Sequence, residues 1–375
     1  MENMKQEPIR IAQIIGKWVG GGVEAVVMNY YRHIDKSKIQ FDFICDEDST
    51  NIPYEEIEKL GGKVILIPPY QKLFRYHKEL KRVLKEGNYK IVHSHINTLS
   101  VFSLFASKCA KIPVRIAHSH STTNKKEKKK NLMKQVLKPF SKLFATYYMC
   151  CSELAGRWLF GDKLYDEGKI YLLNNAIDLQ KFEYNEKIRE EVRKELNIGE
   201  ETFVMGHIGR FVEQKNHGFL IDIFYELQKE KQNAVLMLVG QGPLQNEMKA
   251  KVEQLGLKDK VLFLGQRNDA ARLYQAMDVF VLPSLYEGLG MVLIEAQTSG
   301  SYCFASTEVP TIAKVTENVE FLKLEDSPRK WAEEVLKLEN YRRIGYKEII
   351  SKQGYDIKEE VTKLRHKYEA LNNQD

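Results

Sequence analysis

Cysteine is scarce in this chain of 375 residues, which contains only five. No two of them form a CxxC pair, and most lie inside apolar segments. An odd number of cysteines in this setting is typical of reduced thiols, so we expect neither a disulfide framework nor a structural zinc site. The five are Cys45, Cys109, Cys150, Cys151 and Cys303.

Long apolar runs and sequence repeats are also absent. No stretch reaches the roughly 18 uncharged apolar residues of a membrane-spanning helix. The first ten residues carry charges and lack the apolar centre of a signal peptide. We therefore expect a cytoplasmic protein, and the length predicts two domains because a domain usually has roughly 100 to 200 residues.

The net charge of +6 is concentrated in one segment, Lys125–Lys142, which holds eight lysines and one glutamate. Between Asn131 and Phe144, apolar residues fall near one helical face beside lysines, with a break expected at Pro139. This pattern predicts an anionic membrane partner, and the alternative is a solvated loop over an ordinary core helix. Because aromatic residues do not interleave with the lysines, we expect no nucleic-acid partner. The lysines are Lys125, Lys126, Lys128, Lys129, Lys130, Lys134, Lys138 and Lys142.

Short apolar runs alternate with amphipathic helical patterns along most of the chain, which predicts parallel sheets covered by helices on both faces. The rhythm pauses at the polar stretch Glu183–Glu201 and then restarts. We therefore predict an α/β protein with an N-terminal doubly wound domain at 1–182 and a second at 183–355. A C-terminal helix at 356–375 is expected to pack back toward the N-terminal domain.

A glycine-rich loop, Gly16–Gly22, follows the first predicted strand and precedes a helix. Glycines let backbone N–H groups approach an anion at a helix N-terminus, which makes Gly21 and Gly22 candidate phosphate-binding residues. Gly20, Gly22 and Ala25 also match a loose dinucleotide fingerprint, with Asp46 where a ribose-binding acid would stand. An NAD-dependent dehydrogenase is therefore one alternative.

Four histidines lie near the ends of two neighbouring strands, His93 and His95 on one, His118 and His120 on the other. We expect His118 above all, and then His120, to contact substrate, because ligands bind at the carboxyl ends of strands in doubly wound sheets.

The second domain repeats the arrangement of charged residues after a strand. Arg210 and Lys215 follow the strand Phe203–Ile208, and this pair suits a diphosphate because arginine supplies a bidentate fork and lysine a point charge. Gly240 follows the next strand.

Two carboxylates, Glu287 and Glu295, flank a glycine-rich turn before a predicted helix. Backbone N–H groups of Gly290, Met291 and Val292 at the helix start would face a phosphate, and Glu295 could accept hydrogen bonds from ribose hydroxyls.

Together these motifs resemble the retaining nucleotide-sugar glycosyltransferases of family 4, and the resemblance extends over nearly the whole chain. It implies the GT-B fold, in which two Rossmann-like domains face a cleft. The segments Val114–His120 and Asn174–Asp178 resemble the family's donor-contacting histidine region and interdomain segment. Residues 299–304 and 309–316 look closest to bacterial capsule and exopolysaccharide enzymes.

The resemblance also implies roles for the candidate residues. Arg210 and Lys215 would hold the donor diphosphate, Glu295 its ribose, and His118 and Glu287 the sugar. Gly21, Gly22, Gly240, Gly290, Met291 and Val292 complete the expected nucleotide-sugar site. The glycine loop would also receive the acceptor, a glycan or a polyprenyl-diphosphate-linked sugar, and a UDP-sugar is favoured as the donor.

Three features modify this expectation. The family often has other residues at Ala176, Leu289 and Ser301–Tyr302, which leaves the donor sugar open. Asp46–Asp48 imitates an Asp-x-Asp metal motif, but it lies in the N-terminal domain, so we expect a solvated loop and metal-independent activity. A second alternative to the transferase is a catalytically inert protein that binds sugar nucleotides.

Overall fold

The computed structural model describes residues 7–120, 128–338 and 341–374, and at 128–131 the backbone alone. The chain divides into two compact units, Met1–Ala176 with Asp356–Asp375 and Ile177–Tyr355. The second unit thus begins before the expected boundary at 182, because the helix Leu179–Phe182 packs against helices of that unit.

The first unit is a seven-stranded parallel sheet in the order β3-β2-β1-β4-β5-β6-β7. Its strands are β1 (Ile9–Gly16), β2 (Ile39–Asp46), β3 (Lys63–Ile67), β4 (Ile91–Ser94), β5 (Val114–Ser119), β6 (Tyr147–Cys150) and β7 (Ile170–Leu172). Its helices before residue 177 are α1 (Gly22–His33), α2 (Tyr54–Lys59), α3 (Leu73–Glu86), α4 (Ser100–Cys109), α5 (Lys128–Leu137), α6 (Glu153–Phe160) and α7 (Asp162–Asp166), with 3-10 turns at Asn97–Leu99 and Lys138–Phe140.

The second unit is a six-stranded parallel sheet in the order β10-β9-β8-β11-β12-β13. Its strands are β8 (Phe203–Ile208), β9 (Ala234–Val239), β10 (Val261–Phe263), β11 (Val279–Leu282), β12 (Tyr302–Ser306) and β13 (Val319–Leu322). Its helices are α8 (Leu179–Phe182), α9 (Glu186–Glu195), α10 (His217–Glu230), α11 (Gln245–Gln254), α12 (Ala270–Ala276), α13 (Met291–Thr298), α14 (Pro328–Leu336) and α15 (Lys347–Lys352), with 3-10 turns at Glu213–Lys215, Lys258–Lys260 and Thr311–Ala313. The last helix of the chain, α16 (Ile357–Asn372), belongs to the first unit.

Both sheets reverse their strand order in the middle, between β1 and β4 and between β8 and β11, which is the doubly wound arrangement. Successive residues of β1 point to opposite faces, so Ile11 and Ala12 join different hydrophobic clusters. On the first face the core includes Leu364 and Tyr368 of α16. The predicted pair of doubly wound α/β domains is confirmed.

The structure adds elements that the sequence reading did not contain. Strands β6, β7, β12 and β13 extend both sheets, and α9 forms inside the polar stretch at 183–201. This helix is ordered by its contacts with α12 and by Arg193, which is buried and donates to Asp278 Oδ2 at 2.8 Å. Within the described residues, no helix is long and apolar enough to span a membrane.

Asp42 shows how a charge is accommodated inside the first sheet. It is 1% exposed on β2, where it forms an ion pair with Arg10 and accepts hydrogen bonds from the Tyr89 hydroxyl at 2.8 Å and the Lys63 backbone N–H at 3.1 Å. One carboxylate therefore accepts from three donors. A buried charge is stable only when it is paired and hydrogen-bonded in this way.

We expect Asp42→Asn to lower the free energy of unfolding by about 3 kcal/mol, because it leaves the guanidinium without its counterion. Urea denaturation monitored by circular dichroism measures the change. The matched control is Asp48→Asn, whose ion pair with Lys17 is half-exposed and contributes about 1 kcal/mol or less. Equal effects of the two substitutions would contradict the role given to Asp42.

Candidate active site

Three loops of the second unit meet where β8, β9 and β11 end. The backbone N–H of Gly209 donates to the Val239 carbonyl at 2.9 Å, and that of Phe211 donates to Gln241 at 3.0 Å. A Cβ on Gly240 would lie 2.1 Å from the Gly209 oxygen, and its φ is +138°. Gly240 is therefore required by the close approach of two loops, whatever it does toward a ligand.

Lys215 and Glu287, predicted from separate motifs, lie together. The Lys215 ammonium is 2.6 Å from Glu287 Oε1, and their side chains are 15% and 7% exposed. Glu287 also accepts a hydrogen bond from the Ser284 hydroxyl at 2.7 Å and one from the Gln214 amide at 3.2 Å. Sequence reasoning missed Ser284 and Gln214, although both belong to the loops that it singled out.

Arg210 belongs to the same loop as Lys215. It is exposed, and within the described parts of the chain it has no ion-pair partner. Its guanidinium is therefore available to a bidentate anion such as a diphosphate.

Glu295 lies on α13, which begins at Met291 because Gly290 adopts a left-handed φ of +82°. The Tyr274 hydroxyl donates to Glu295 Oε2 at 2.9 Å, and Tyr274 is fully buried. The pKa of Glu295 is raised, because the effect of burial exceeds that of the Tyr274 hydrogen bond and the charge of Lys215, which both lower it. The first turn of α13 leaves backbone N–H groups for an anion at Gly290, Met291 and Val292.

Two further histidines flank the Arg210–Lys215 loop in the chain and were not selected from the sequence. His207 donates from Nδ1 to the Val281 carbonyl at 2.8 Å, and His217 stacks on Phe211 with 4.1 Å between ring centroids. His207 is the penultimate residue of a strand and His217 begins a helix, a pattern that could have identified both.

In the first unit, the glycine loop leads into α1 with Gly21 at the N-cap and Gly22 as the first helical residue. Glu24 is buried and its Oε1 accepts from the Val19 backbone N–H at 3.0 Å. Glu24 thus places a carboxylate in the first turn of the helix whose N-terminus we had assigned to a ligand phosphate, since anions favour this end of a helix.

The acidic stretch after β2 is engaged with lysines. Asp48 forms an ion pair with Lys17 and Glu47 with Lys72, each at 2.7 Å. Asp46 is buried, and burial raises its pKa to about 6.

His93 and His118 are the penultimate residues of β4 and β5, which end at Ser94 and Ser119, so both lie near the strand ends as the sequence predicted. His95 and His120 are the first residues beyond the strand ends. The rings of all four are stacked or tilted against one another, with 3.9 Å between the centroids of His118 and His120.

Within the described residues, the ligand atoms of His93, His95 and His118 lie within 4.8 Å of one another, which is a spacing that a metal ion could use. Both nitrogens of His93 and His95 and Nδ1 of His118, however, already hydrogen-bond to neighbours, with His93 Nε2 3.0 Å from His118 Nδ1.

The lysine segment is described in part. Lys125 and Lys126 lie outside the described residues, as do the side chains of Lys128, Lys129 and Lys130. Helix α5 ends at Leu137, before Pro139, so the expected break is confirmed. Leu132, Val136, Phe140 and Leu143 are 68%, 59%, 49% and 62% exposed, and these side chains are therefore not part of a core.

Comparison with known families gives two matches that together span most of the chain. Residues 188–356 match the family described as glycosyl transferases group 1, and residues 20–181 match glycosyltransferase family 4. The protein EpsF of Bacillus subtilis (strain 168) is 33% identical over 99% of both chains.

More distant relatives add detail. An Escherichia coli enzyme named UDP-Gal:alpha-D-GlcNAc-diphosphoundecaprenol alpha-1,3-galactosyltransferase is 27% identical over 80% of this chain and 79% of its own length. The crystal structure of HepE from Anabaena in complex with UDP and glucose shares the fold, with a TM-score of 0.78, 18% identity, and coverage of 96% of this chain and 100% of that chain.

The buried histidines predict how stability depends on pH. Burial lowers the pKa of His120 to about 3 and that of His217 to about 4, from an ordinary value of 6.5. Below pH 6.5 the unfolded chain takes up these protons and the folded protein does not, so stability is complete above pH 6.5 and falls as the pH falls toward 4.

We expect His217→Asn to remove one such proton from the linkage. Between pH 6.5 and pH 5.5 the variant should lose about 1 kcal/mol less unfolding free energy than the wild type. Urea denaturation at pH 7.5, 6.5 and 5.5 measures this difference, and parallel curves for the two proteins would show that His217 is charged in the folded state.

Proposed function

The chain belongs to the family 4 glycosyltransferases with a GT-B fold, and on that premise we propose that it transfers a hexosyl or N-acetylhexosaminyl group from a nucleotide diphosphate sugar to a glycan acceptor. The observation that carries the proposal is the buried Lys215–Glu287 ion pair, which fixes the loop that also carries Arg210. Arg210 has no ion-pair partner among the described residues, so this loop offers a guanidinium at the edge where nucleotides bind in such sheets. The name of the Escherichia coli relative favours a UDP-sugar and a lipid-linked acceptor. A Staphylococcus aureus relative, named capsular polysaccharide biosynthesis glycosyltransferase CapH, favours a role in bacterial capsule or exopolysaccharide synthesis.

The donor nucleotide is proposed to bind the second unit. Glu295, oriented by Tyr274, accepts hydrogen bonds from the ribose hydroxyls, and the N-terminus of α13 faces the diphosphate. Arg210 and Lys215 neutralise the charge that develops on the leaving phosphate. Glu287 keeps the Lys215 ammonium in place and holds sugar hydroxyls with its second oxygen.

The transfer is proposed to proceed with retention of configuration. The acceptor oxygen bonds to the anomeric carbon, the bond from that carbon to the phosphate oxygen breaks, and the departing phosphate takes the acceptor proton. No metal has a part in this proposal, because lysine and arginine supply the positive charge. In the first unit, the Gly21–Gly22 loop is proposed to receive the acceptor and His118 to contact sugar.

We expect Arg210→Ala to reduce turnover about 100- to 1,000-fold, because it removes a group that stabilises charge in the transition state. The assay follows release of UDP from UDP-sugars incubated with a diphosphoundecaprenol-linked acceptor. Arg329→Ala, which removes a surface arginine of the same unit, is the matched control.

Thermal stabilisation by UDP, GDP, ADP, their sugar conjugates and NAD tests the site independently of turnover. Stabilisation by one nucleoside diphosphate that is lost in Glu295→Ala supports the proposal. Stabilisation by NAD alone would favour the dehydrogenase alternative, and nucleotide binding with no turnover of any sugar would favour the inert binding protein.

An anionic membrane surface is the second proposed partner, and the protein is accordingly proposed to be cytoplasmic and peripheral to the membrane. The apolar side chains of α5 and the segment after it are exposed where a core helix would bury them. Lys138 lies over the Trp158 ring at 5.4 Å, and the Lys142 ammonium donates to the Phe160 carbonyl at 3.1 Å, so both charges are fixed beside this apolar surface. The apolar side chains of such a surface suit lipid acyl chains, and the neighbouring lysines suit anionic headgroups.

We expect charge reversal of Lys134, Lys138 and Lys142 to glutamate to weaken sedimentation with anionic liposomes at least about 100-fold, since each lysine contributes about 1 kcal/mol. The control reverses Lys163, Lys258 and Lys337, exposed lysines on other elements. Equal partition of wild type and variant, or equal binding to neutral vesicles, would reject the membrane surface.

A further inference from the structure

Two nitrogens in the histidine cluster of the first unit are buried without a partner among the described residues. They are Nε2 of His118, which is 1% exposed, and Nδ1 of His120, which is 9% exposed. Buried polar atoms almost always have hydrogen-bond partners, so an unpartnered pair on stacked rings marks a place where a small polar group binds. Both histidines line one small cavity, together with Gln13 and Tyr368.

The protonation of His118 follows from a chain of hydrogen bonds that begins at Gln13. The Gln13 amide donates to the Tyr368 hydroxyl at 3.2 Å, so the proton of that hydroxyl is directed to His93 Nδ1 at 2.6 Å. His93 then carries its proton on Nε2 and donates to His118 Nδ1 at 3.0 Å. The remaining nitrogen of His118, Nε2, must therefore be an N–H donor.

A second chain runs from the other end of the same amide. The Gln13 carbonyl oxygen accepts from His95 Nε2 at 2.7 Å, which leaves His95 Nδ1 without a proton. This nitrogen accepts from His120 Nε2 at 2.9 Å. The remaining nitrogen of His120, Nδ1, is therefore a bare acceptor.

One of the two nitrogens, His118 Nε2 and His120 Nδ1, is a donor and the other an acceptor whichever way the Gln13 amide is turned. Rotating the Gln13 amide by half a turn reverses both chains, so that His118 becomes the acceptor and His120 the donor. An amide always presents one donor and one acceptor, and the pair therefore stays complementary. Burial lowers the pKa of all four histidines, so they are neutral at pH 7 and the chains are not broken by protonation.

We propose that Gln13 is a positioning residue that holds His118 and His120 in opposite hydrogen-bonding states, so that the pair binds a hydroxyl group of a sugar substrate. A hydroxyl both donates and accepts, whereas a phosphate or carboxylate oxygen would face the lone pair of one histidine and be disfavoured. The identification of the hydroxyl as that of a sugar rests on the proposed function. The polarity of the chains does not.

Nitrogen NMR of histidine-labelled protein tests the polarity, because protonated and bare ring nitrogens give distinct signals. In the wild type we expect one of the two nitrogens, His118 Nε2 and His120 Nδ1, to be protonated and the other bare, with signals assigned through His118→Asn and His120→Asn. Signals of the same type from both nitrogens would overturn the proposal.

Gln13→Glu should make both nitrogens bare, because a carboxylate accepts from Tyr368 as well as from His95 and so reverses the first chain alone. Tyr368→Phe should let His118 Nε2 be protonated in some molecules and bare in others, and it should leave the protonation of His120 Nδ1 unchanged. The matched control is Tyr30→Phe, which removes a buried hydroxyl that donates to the Asn174 carbonyl outside both chains. A Gln13→Glu protein with unaltered signals would overturn the role of Gln13.

The substrate arm compares UDP-glucose or UDP-galactose with UDP. We expect the sugar conjugate that is turned over, and not UDP, to shift the His118 and His120 signals, and Gln13→Glu to lower kcat/KM about tenfold. Equal shifts with UDP, or unchanged kcat/KM in Gln13→Glu, would mean that the pair holds only a water molecule, and would overturn the substrate role. A wild type with no turnover would overturn the proposed function, and the NMR signals without ligand would still decide the polarity of the chains.

Discussion

The buried ion pair between Lys215 and Glu287 is the constraint on which the candidate site depends. It joins the loop after β8 to the loop after β11, and Ser284 and Gln214 also donate to the carboxylate, which keeps one acceptor site of Oε2 for a ligand. A buried charge pair is costly to break, because either partner alone would be an uncompensated charge. The loops that carry Arg210 and Glu287 are therefore held in place before a ligand arrives.

The same requirement, that buried polar groups find partners, shapes the first unit. Its sheet carries four histidines at the ends of neighbouring strands, and all of their nitrogens except His118 Nε2 and His120 Nδ1 are satisfied by one another, by Gln13 and by Tyr368. Asp42 likewise collects three donors in the interior of β2. In both units, the polar residues inside the sheets come as connected networks, which is the form in which such groups are tolerated.

Most of the fold could be predicted from hydrophobic periodicity. Strand β8 has the predicted bounds, Phe203–Ile208, because it is a well-delimited apolar run. Strands β6, β7, β12 and β13 were missed; they extend the sheets by pairing with β5, β11 and one another, which the local sequence does not show. Helix α9 was missed because its sequence is mostly charged and its order comes from packing on α12.

The order of apolar runs and turn residues along the chain determined two doubly wound sheets, and it placed Arg210, Lys215, Glu287 and Glu295 in or next to loops that follow strands. Only the tertiary structure decided which side chains meet. Lys215 pairs with Glu287, Tyr274 orients Glu295, and Gln13 reaches a tyrosine 355 residues away. The reason is physical. Periodicity is a local property of the chain, whereas hydrogen bonds and ion pairs form between groups that only the folded domain brings together.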